Sequence, residues 1–256
     1  MRHAFFRAPR PLVFAHRGGA ALKPENTIEA FDNGIALGAD GLELDVHLSR
    51  DGDVVVHHDR TLERTTTLAG AIAAASTAEL EAAGVPRLET VLTRYRDARI
   101  IIELKVNSVE MARGAVDVVR RCDAVDRVCC GSFGMRVLRT VRALEPAIAT
   151  SAAREEVRWF LYRSWVRCAP TKTAYDGFQI PEMAGSTRVV SQRFITAAHR
   201  AGLGVQVWTV NTEDDARRLL AWGVDALITD RPDIVVPIAG LKGSRYDAQM
   251  KGSRSI

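Results

Sequence analysis

The chain has 256 residues, of which 47% are hydrophobic and 26% are charged, a composition typical of a globular protein with a substantial core. The formal net charge is +4, but the first ten and the last sixteen residues each carry +3, which leaves −2 for residues 11–240. Because the basic residues are concentrated at the two ends, we expect no nucleic-acid partner for the folded body.

Four cysteines stand at Cys122, Cys129, Cys130 and Cys168 and form no C-x-x-C pair. We interpret them as small buried apolar residues of a protein in a reducing compartment. The apolar run near the amino terminus is too short for a signal peptide, and no run in the sequence is long enough to cross a bilayer. The sequence therefore predicts a soluble, cytoplasmic protein with no stable membrane association.

Short apolar runs alternate with helical patterns along the whole chain. The runs predict eight strands, over 12–15, 41–46, 99–104, 127–131, 146–151, 175–180, 204–210 and 225–230. Helical patterns lie between them, and several end at a glycine suited to a helix C-cap. Eight strands alternating with helices over about 250 residues predict an α/β fold, a TIM (β/α)8 barrel.

Three parts of the chain fall outside this alternation. Residues 1–10 form a basic amino-terminal arm, and residues 241–256 lack periodicity and are predicted to be a disordered tail. After the second strand, DVVVHHD at residues 53–59 predicts an extra short strand. Residues 60–87 then predict a small insertion between the second strand and the second helix, on the catalytic face.

The sequence VFAHRGGAALKPENT places His16 and Arg17 where an apolar strand stops at two glycines. This position is the carboxyl end of the first strand, which is where ligands bind in α/β folds. Both side chains are therefore candidates for a functional site.

Acidic residues occupy one face of the next two predicted strands. In GLELDVH, strand alternation places Glu43, Asp45 and His47 on the same face, and in RIIIELK it does so for Glu103 and Lys105. Carboxylates enclosed in a barrel need a compensating charge, and oxygen ligands suit a hard cation such as Mg²⁺ or Ca²⁺. We expect one such divalent cation; His47 is either a hydrogen-bond partner near the site or polar filler.

Two adjacent histidines follow the extra strand in VVVHHD. Because successive side chains of a strand point to opposite faces, only one of His57 and His58 should reach the site. The remaining two, His3 and His199, are interpreted as surface residues.

The chain contains, in this order, the segments AHRGG, PENTIEAF, GADGLELDVHLSRDGDVVV, HD with TLERTT, IIELK, VWTVN and GVDALITDRPD. Together these segments resemble the glycerophosphodiester phosphodiesterase family. The resemblance runs from His16 to Asp233. It implies a TIM barrel that hydrolyses glycerophosphodiesters such as glycerophosphocholine or glycerophosphoethanolamine to sn-glycerol 3-phosphate and an alcohol. The roles that it implies are acid–base catalysis by His16 and His58, metal binding by Glu43, Asp45 and Glu103, and substrate binding by Arg17, Lys105 and Trp208.

Two alternatives remain at this point. One is a phospholipase D-like or phospholipase C-like barrel acting on lysophospholipids or other lipid phosphodiesters, which would need an apolar surface beside the site; AGAIAAA in the insertion supplies little of it. The other is an inactive barrel that only binds phosphodiesters, but it would be expected to lack one of the polar groups. The sequence leaves open the alcohol, the cation, the oligomeric state and the identity of the acid. The nucleophile is water or the substrate's 2-hydroxyl, of which we favour the hydroxyl.

Overall fold

The structure is a computed structural model that describes residues 3–166, 168, 170 and 172–240. Its strands are β1 (Leu12–His16), β2 (Gly41–Leu48), β3 (Val54–Val56), β4 (Arg99–Leu104), β5 (Val128–Gly131), β6 (Ala149–Thr150), β7 (Gly177–Pro181), β8 (Met183–Ala184), β9 (Thr187–Arg188), β10 (Gly204–Trp208) and β11 (Ala226–Thr229). The helices are α1 (Ile28–Ala36), α2 (Thr77–Ala82), α3 (Leu88–Arg94), α4 (Val109–Arg121), α5 (Met135–Leu144), α6 (Arg154–Trp165), α7 (Gln192–Arg200) and α8 (Glu213–Trp222), followed by a helix over 232–240.

Eight parallel strands form the barrel, in the order β6-β5-β4-β2-β1-β11-β10-β7. The two ends of this sheet meet through a single parallel bridge between Ser151 and Gly177, so the barrel is nearly closed. The predicted TIM barrel is confirmed. Each of the eight predicted strands has a counterpart, although several are shorter than predicted, most of all β6.

The helices bury their apolar faces against the barrel, as α4 illustrates. Ser108 caps its amino end by accepting a hydrogen bond from the Met111 amide, which satisfies a donor that the helix itself leaves free. Met111, Ala112 and Val116 are buried in the layer between helices and sheet. The remaining face is polar, because it lies toward solvent.

The segment between β2 and β4 departs from the simple alternation. Strand β3 runs antiparallel against the carboxyl end of β2, with Leu48 paired to Val54. A 3₁₀ turn at Ile72–Ala74 and α2 follow before α3. Strands β8 and β9 form a hairpin that the sequence did not predict, because two-residue strands carry no readable periodicity.

The amino-terminal arm carries an apolar anchor. Phe5 and Phe6 lie in a 3₁₀ turn and are buried with Leu12 and Phe14 in the inner cluster of the barrel. The Phe6 ring lies so close to Gly177 that a Cβ there would come within 2.5 Å of it. These two rings therefore plug the amino end of the barrel, opposite the carboxyl end that holds the site.

Two further expectations concern cysteines and membranes. Cys129 and Cys130 are buried as expected, but Cys122 at the end of α4 is only partly buried and Cys168, beyond the end of α6, is exposed. Within the described residues, no helix combines the length and apolar character needed to cross a membrane. The predicted disordered tail over 241–256 lies outside the described residues.

Candidate active site

A cavity of about 650 Å³ opens at the carboxyl end of the barrel. All eight residues that the sequence analysis assigned to catalysis, substrate binding or metal binding line it: His16, Arg17, Glu43, Asp45, His58, Glu103, Lys105 and Trp208. The fold thus brings the whole predicted set to one place, while the role of each residue remains a prediction.

Strand register sets the positions of the acidic groups. His16 of β1 pairs with Glu43 of β2, and Asp45 of β2 pairs with Glu103 of β4. The next strand contributes Gly131 opposite Glu103, and a Cβ there would lie 3.0 Å from the Glu103 carboxylate. A glycine at this position therefore leaves space for a carboxylate inside the barrel.

His16 lies between two carboxylates. Its Nδ1 is 2.6 Å from Asp230 Oδ1, and its Nε2 is 3.7 Å from Glu43 Oε2. Burial disfavours the charged imidazolium, but the negative charges of Glu43 and Asp230 outweigh it, so the pKa of His16 is raised. His16 therefore keeps its proton to higher pH than a free imidazole does.

His58 has a different environment. Burial is the largest influence and lowers its pKa, although Asp45 and a 2.6 Å contact between His58 Nδ1 and Asp59 Oδ1 act in the opposite direction. The ring of His47, whose own pKa burial lowers, lies with Nε2 3.1 Å from the His58 carbonyl. His47 therefore helps to fix the position of the backbone at His58.

His57 does not line the cavity. It is buried on the other side of the segment, where its ring nitrogens lie 3.0 Å from the Asp59 carbonyl and 2.9 Å from Thr65 Oγ1. This ring thus helps to shape the turn after β3. Its position away from the cavity follows from the alternation of side chains along the strand.

Two carboxyl groups in the site are hard to ionise. Burial raises the pKa of Glu103 to about 8 and that of Glu43 to about 7, and repulsion from the neighbouring carboxylates adds to both shifts. Among the described residues, Glu103 has no cationic nitrogen within ion-pair distance. Both carboxyls therefore keep their protons to higher pH than a free glutamic acid does, unless an added cation favours their ionised forms.

Asp45 is the exception among the acidic groups. Burial opposes its ionisation, but Lys105 Nζ at 3.2 Å from Oδ1 and the nearby Arg17 lower its pKa. Asn26 adds a hydrogen bond of 3.0 Å from Nδ2 to Oδ2. Asp45 is therefore ionised, and it pairs with the side chains of both Arg17 and Lys105.

Arg17 adopts a strained backbone conformation, with φ of 51° in a non-glycine residue. This geometry directs its amide to Glu43 Oε2 at 3.1 Å, while its guanidinium donates to Glu25 Oε1. Its buried Nε lies 3.1 Å from Asp45 Oδ2 but has no hydrogen bond among the described residues. Arg17 therefore keeps donor capacity that its protein contacts do not use.

Sequence reasoning assigned no role to several supporting residues. Asp230 is held by Asn211, whose Nδ2 donates to Asp230 Oδ2 over 2.8 Å, and Arg64 bridges Asp59 to Glu25. All of them are polar residues inside the quoted segments PENTIEAF, HD with TLERTT, VWTVN and GVDALITDRPD, and that clustering is the signal that could have pointed to them.

Trp208 borders the cavity opposite the charged groups. It packs edge-to-face on Phe133 at a centroid distance of 6.1 Å, and the Arg154 guanidinium lies 5.0 Å from the Phe133 ring. Trp208, Phe133 and Arg154 therefore form one part of the cavity wall.

The fold and the site together define a class: a TIM-barrel enzyme whose cavity gathers two histidines, two cationic side chains and buried carboxyl groups at the carboxyl ends of its strands. Residues 16–234 match the model of the glycerophosphoryl diester phosphodiesterase family. The match covers most of the chain, which belongs to this family, and the protein is a hydrolase.

Individual relatives agree with this assignment. The chain is 32% identical to the probable glycerophosphodiester phosphodiesterase 2 of Mycobacterium tuberculosis, over 93% of this chain and 94% of that protein. A putative glycerophosphoryl diester phosphodiesterase from Silicibacter pomeroyi superposes with a TM-score of 0.77 at 25% identity, covering 93% and 97% of the two chains. An Oleispira antarctica phosphodiesterase, solved with its product sn-glycerol-3-phosphate, gives 0.72 at 27% identity and coverages of 90% and 96%.

Proposed function

We propose that the protein hydrolyses glycerophosphodiesters, such as glycerophosphocholine or glycerophosphoethanolamine, to sn-glycerol 3-phosphate and an alcohol, with the help of one divalent cation. The observation that carries the proposal is that one cavity at the carboxyl end of the barrel brings together His16 and His58 with two cationic side chains, Arg17 and Lys105, and three carboxyl groups. The sn-glycerol-3-phosphate bound to the Oleispira relative supports the product. The buried thiols of Cys129 and Cys130 support a cytoplasmic location.

The acidic residues fit a hard divalent cation by charge and by donor type. Glu43 and Glu103 are buried carboxyls whose pKa values are raised, which is the situation that an added cation relieves. Among the described residues, no three Asp, Glu, His or Cys side chains are arranged so that they could already hold a metal ion. Asp45 instead forms ion pairs with Arg17 and Lys105. Glu43, Asp45 and Glu103 would hold Mg²⁺ or Ca²⁺, which when bound would offset phosphate charge as a Lewis acid.

The two cationic side chains would bind the phosphate. Lys105 supplies a compact ammonium group, and Arg17 supplies a planar guanidinium with an unused donor. Hydrogen bonds from fixed cations gain strength as charge shifts onto the phosphate oxygens in the transition state. Trp208 would cover the glycerol or alcohol moiety.

The pKa shifts divide the acid–base work between the two histidines. His16, with its raised pKa, would start as the acid and protonate the oxygen of the departing alcohol. His58, with its lowered pKa, would start neutral and accept the proton of the nucleophile. Asp230 and Asp59 hold the Nδ1 side of each ring, so that the Nε2 atoms are left for the substrate.

The nucleophile that we favour is the 2-hydroxyl of the glycerol moiety. It lies beside the phosphorus within the same molecule, and well-oriented intramolecular reactions reach effective molarities of about 10⁵ M or more. Its attack would break the bond between phosphorus and the alcohol oxygen and leave a cyclic glycerol phosphate. Water would then open the ring with the two histidines in exchanged roles.

The test is release of glycerol 3-phosphate from glycerophosphocholine, glycerophosphoethanolamine and glycerophosphoglycerol by the purified protein, with and without Mg²⁺ or Ca²⁺. We expect turnover of at least one substrate, and its loss after exhaustive chelation. No turnover of any of the three with either cation would refute the proposal.

A further inference from the structure

The cavity extends well beyond the charged groups. From the polar end it continues along α6 and the hairpin formed by β8 and β9, where its walls include Val157, Leu161, Trp165, Ile180, Ala184 and Val189. A glycerophosphodiester with a small alcohol is polar throughout and offers these side chains nothing to bury.

The rim of this extension is the main place where the protein exposes large apolar side chains. Within the described residues seven such side chains are exposed: Phe133, Tyr162 and Trp165 line the cavity, Met183 belongs to the hairpin on its wall, and Val166 follows Trp165. The other two, Leu37 and Trp159, are not among the lining residues. Such a concentration of apolar surface marks a binding region, because isolated exposed residues would be scattered.

Two of these residues connect the rim to the interior of the cavity. Tyr162 and Trp165 both line it, and their rings pack edge-to-face at 5.3 Å although each is about half exposed, at 50% and 47%. Leu161, which is buried, continues the same wall inward. The result is a continuous apolar path from solvent to the phosphate-binding end.

We infer that this extension, the α6 channel, binds the acyl chain of a lysophospholipid whose phosphodiester occupies the catalytic end. The inference rests on the proposed function and deepens it by naming the substrate class. Continuity with the catalytic cavity favours a chain attached to the substrate over a separate ligand. In the reaction the phosphorus–oxygen bond to the alcohol breaks, the alcohol takes a proton, and water supplies the oxygen that ends on the acylglycerol phosphate.

The arginines on the wall allow a rival occupant. Arg154 and Arg158 also line the cavity, and a second anionic group on the substrate could bind there instead of a chain. The Arg154 guanidinium already lies over the Phe133 ring, and arginine stems cover apolar surface well, so both residues are compatible with a chain.

The experiment compares choline release from glycerophosphocholine with release from 1-acyl lysophosphatidylcholines of 6, 8, 10 and 12 carbons, each below its critical micelle concentration. We expect kcat/KM to rise about 3-fold or more for every two methylenes, because each buried methylene adds favourable transfer free energy. A flat series, or no choline release from the lysophosphatidylcholines while any glycerophosphodiester is hydrolysed, would overturn the inference alone. No hydrolysis of these substrates or of glycerophosphoethanolamine and glycerophosphoglycerol would overturn the proposed function.

Matched variants on α6 identify the channel. Trp165→Ser should lower the ratio of kcat/KM for the 12-carbon substrate to that for glycerophosphocholine by about 10-fold, and Ala184→Trp should lower it by filling the channel from the exposed hairpin. Trp159→Ser, on the same helix but outside the cavity and 67% exposed, should leave the ratio unchanged. An equal effect of Trp159→Ser would indicate adsorption to lipid aggregates. Preference for a glycerophosphodiester with a second phosphate would indicate that the channel binds an anionic group. Either result would refute the proposal that the α6 channel binds an acyl chain.

Discussion

Replacement of Glu103 by glutamine should stabilise the metal-free protein while removing its response to cations. The Glu103 carboxyl is buried and its pKa is raised to about 8 from 4.5. Because the unfolded chain releases this proton near pH 4.5 and the folded chain only near pH 8, the raised pKa lowers the free energy of unfolding by about 2 kcal/mol at pH 6 and about 4 kcal/mol at pH 8. Because a raised carboxyl pKa favours the folded state only while the group is protonated, this cost grows as pH rises from 4.5 toward 8.

The assay is urea unfolding followed by tryptophan fluorescence, at pH 6 and pH 8, with chelator present. We expect Glu103→Gln to raise the free energy of unfolding, and to raise it more at pH 8 than at pH 6. Added Mg²⁺ or Ca²⁺ should stabilise the parent chain but not the variant, since the variant lacks one of the proposed ligands. Glu155→Gln, an exposed carboxyl on α6, serves as the control and should change stability by no more than about 0.5 kcal/mol. A Glu103→Gln variant less stable than the parent at pH 8 in chelator would refute the electrostatic reasoning.

Three further predictions concern the catalytic step. His58→Ala should lower kcat by about 10² or more, while His57→Ala, whose ring lies outside the cavity, should cost far less; equal losses would contradict the assignment of the acid–base role to His58. Asp230→Asn should shift the alkaline limb of the pH profile of kcat/KM to lower pH. The reason is that loss of the carboxylate lowers the pKa of His16, and a general acid must be protonated to act. An unshifted limb would show that His16 is not the acid. A glycerophosphocholine analogue without the 2-hydroxyl should be hydrolysed far more slowly than the parent, and a similar kcat would show that water attacks directly.

Local periodicity in the sequence predicted the barrel and placed the acidic residues of its charged end on one face, whereas the choice of His58 and Trp208 came from the family resemblance. Strand alternation alone places Glu43 and Asp45 on one face, and it separates His57 from His58 within a single strand end. The order of strands and helices then predicts a parallel barrel, since parallel strands need crossover helices. The carboxyl ends of all strands meet at one opening, so residues found there in the sequence meet in space.

Contacts between distant segments could be decided only by the tertiary structure. Asp230 reaches His16 across 214 positions, because β11 closes the barrel against β1, and no local pattern reports that pairing. The direction of each histidine pKa likewise depends on burial and on charges from several strands. The α6 channel arises in the same way: apolar residues of a helix and of a hairpin are ordinary in sequence, and whether they are buried, exposed or face a cavity is determined by what packs beside them.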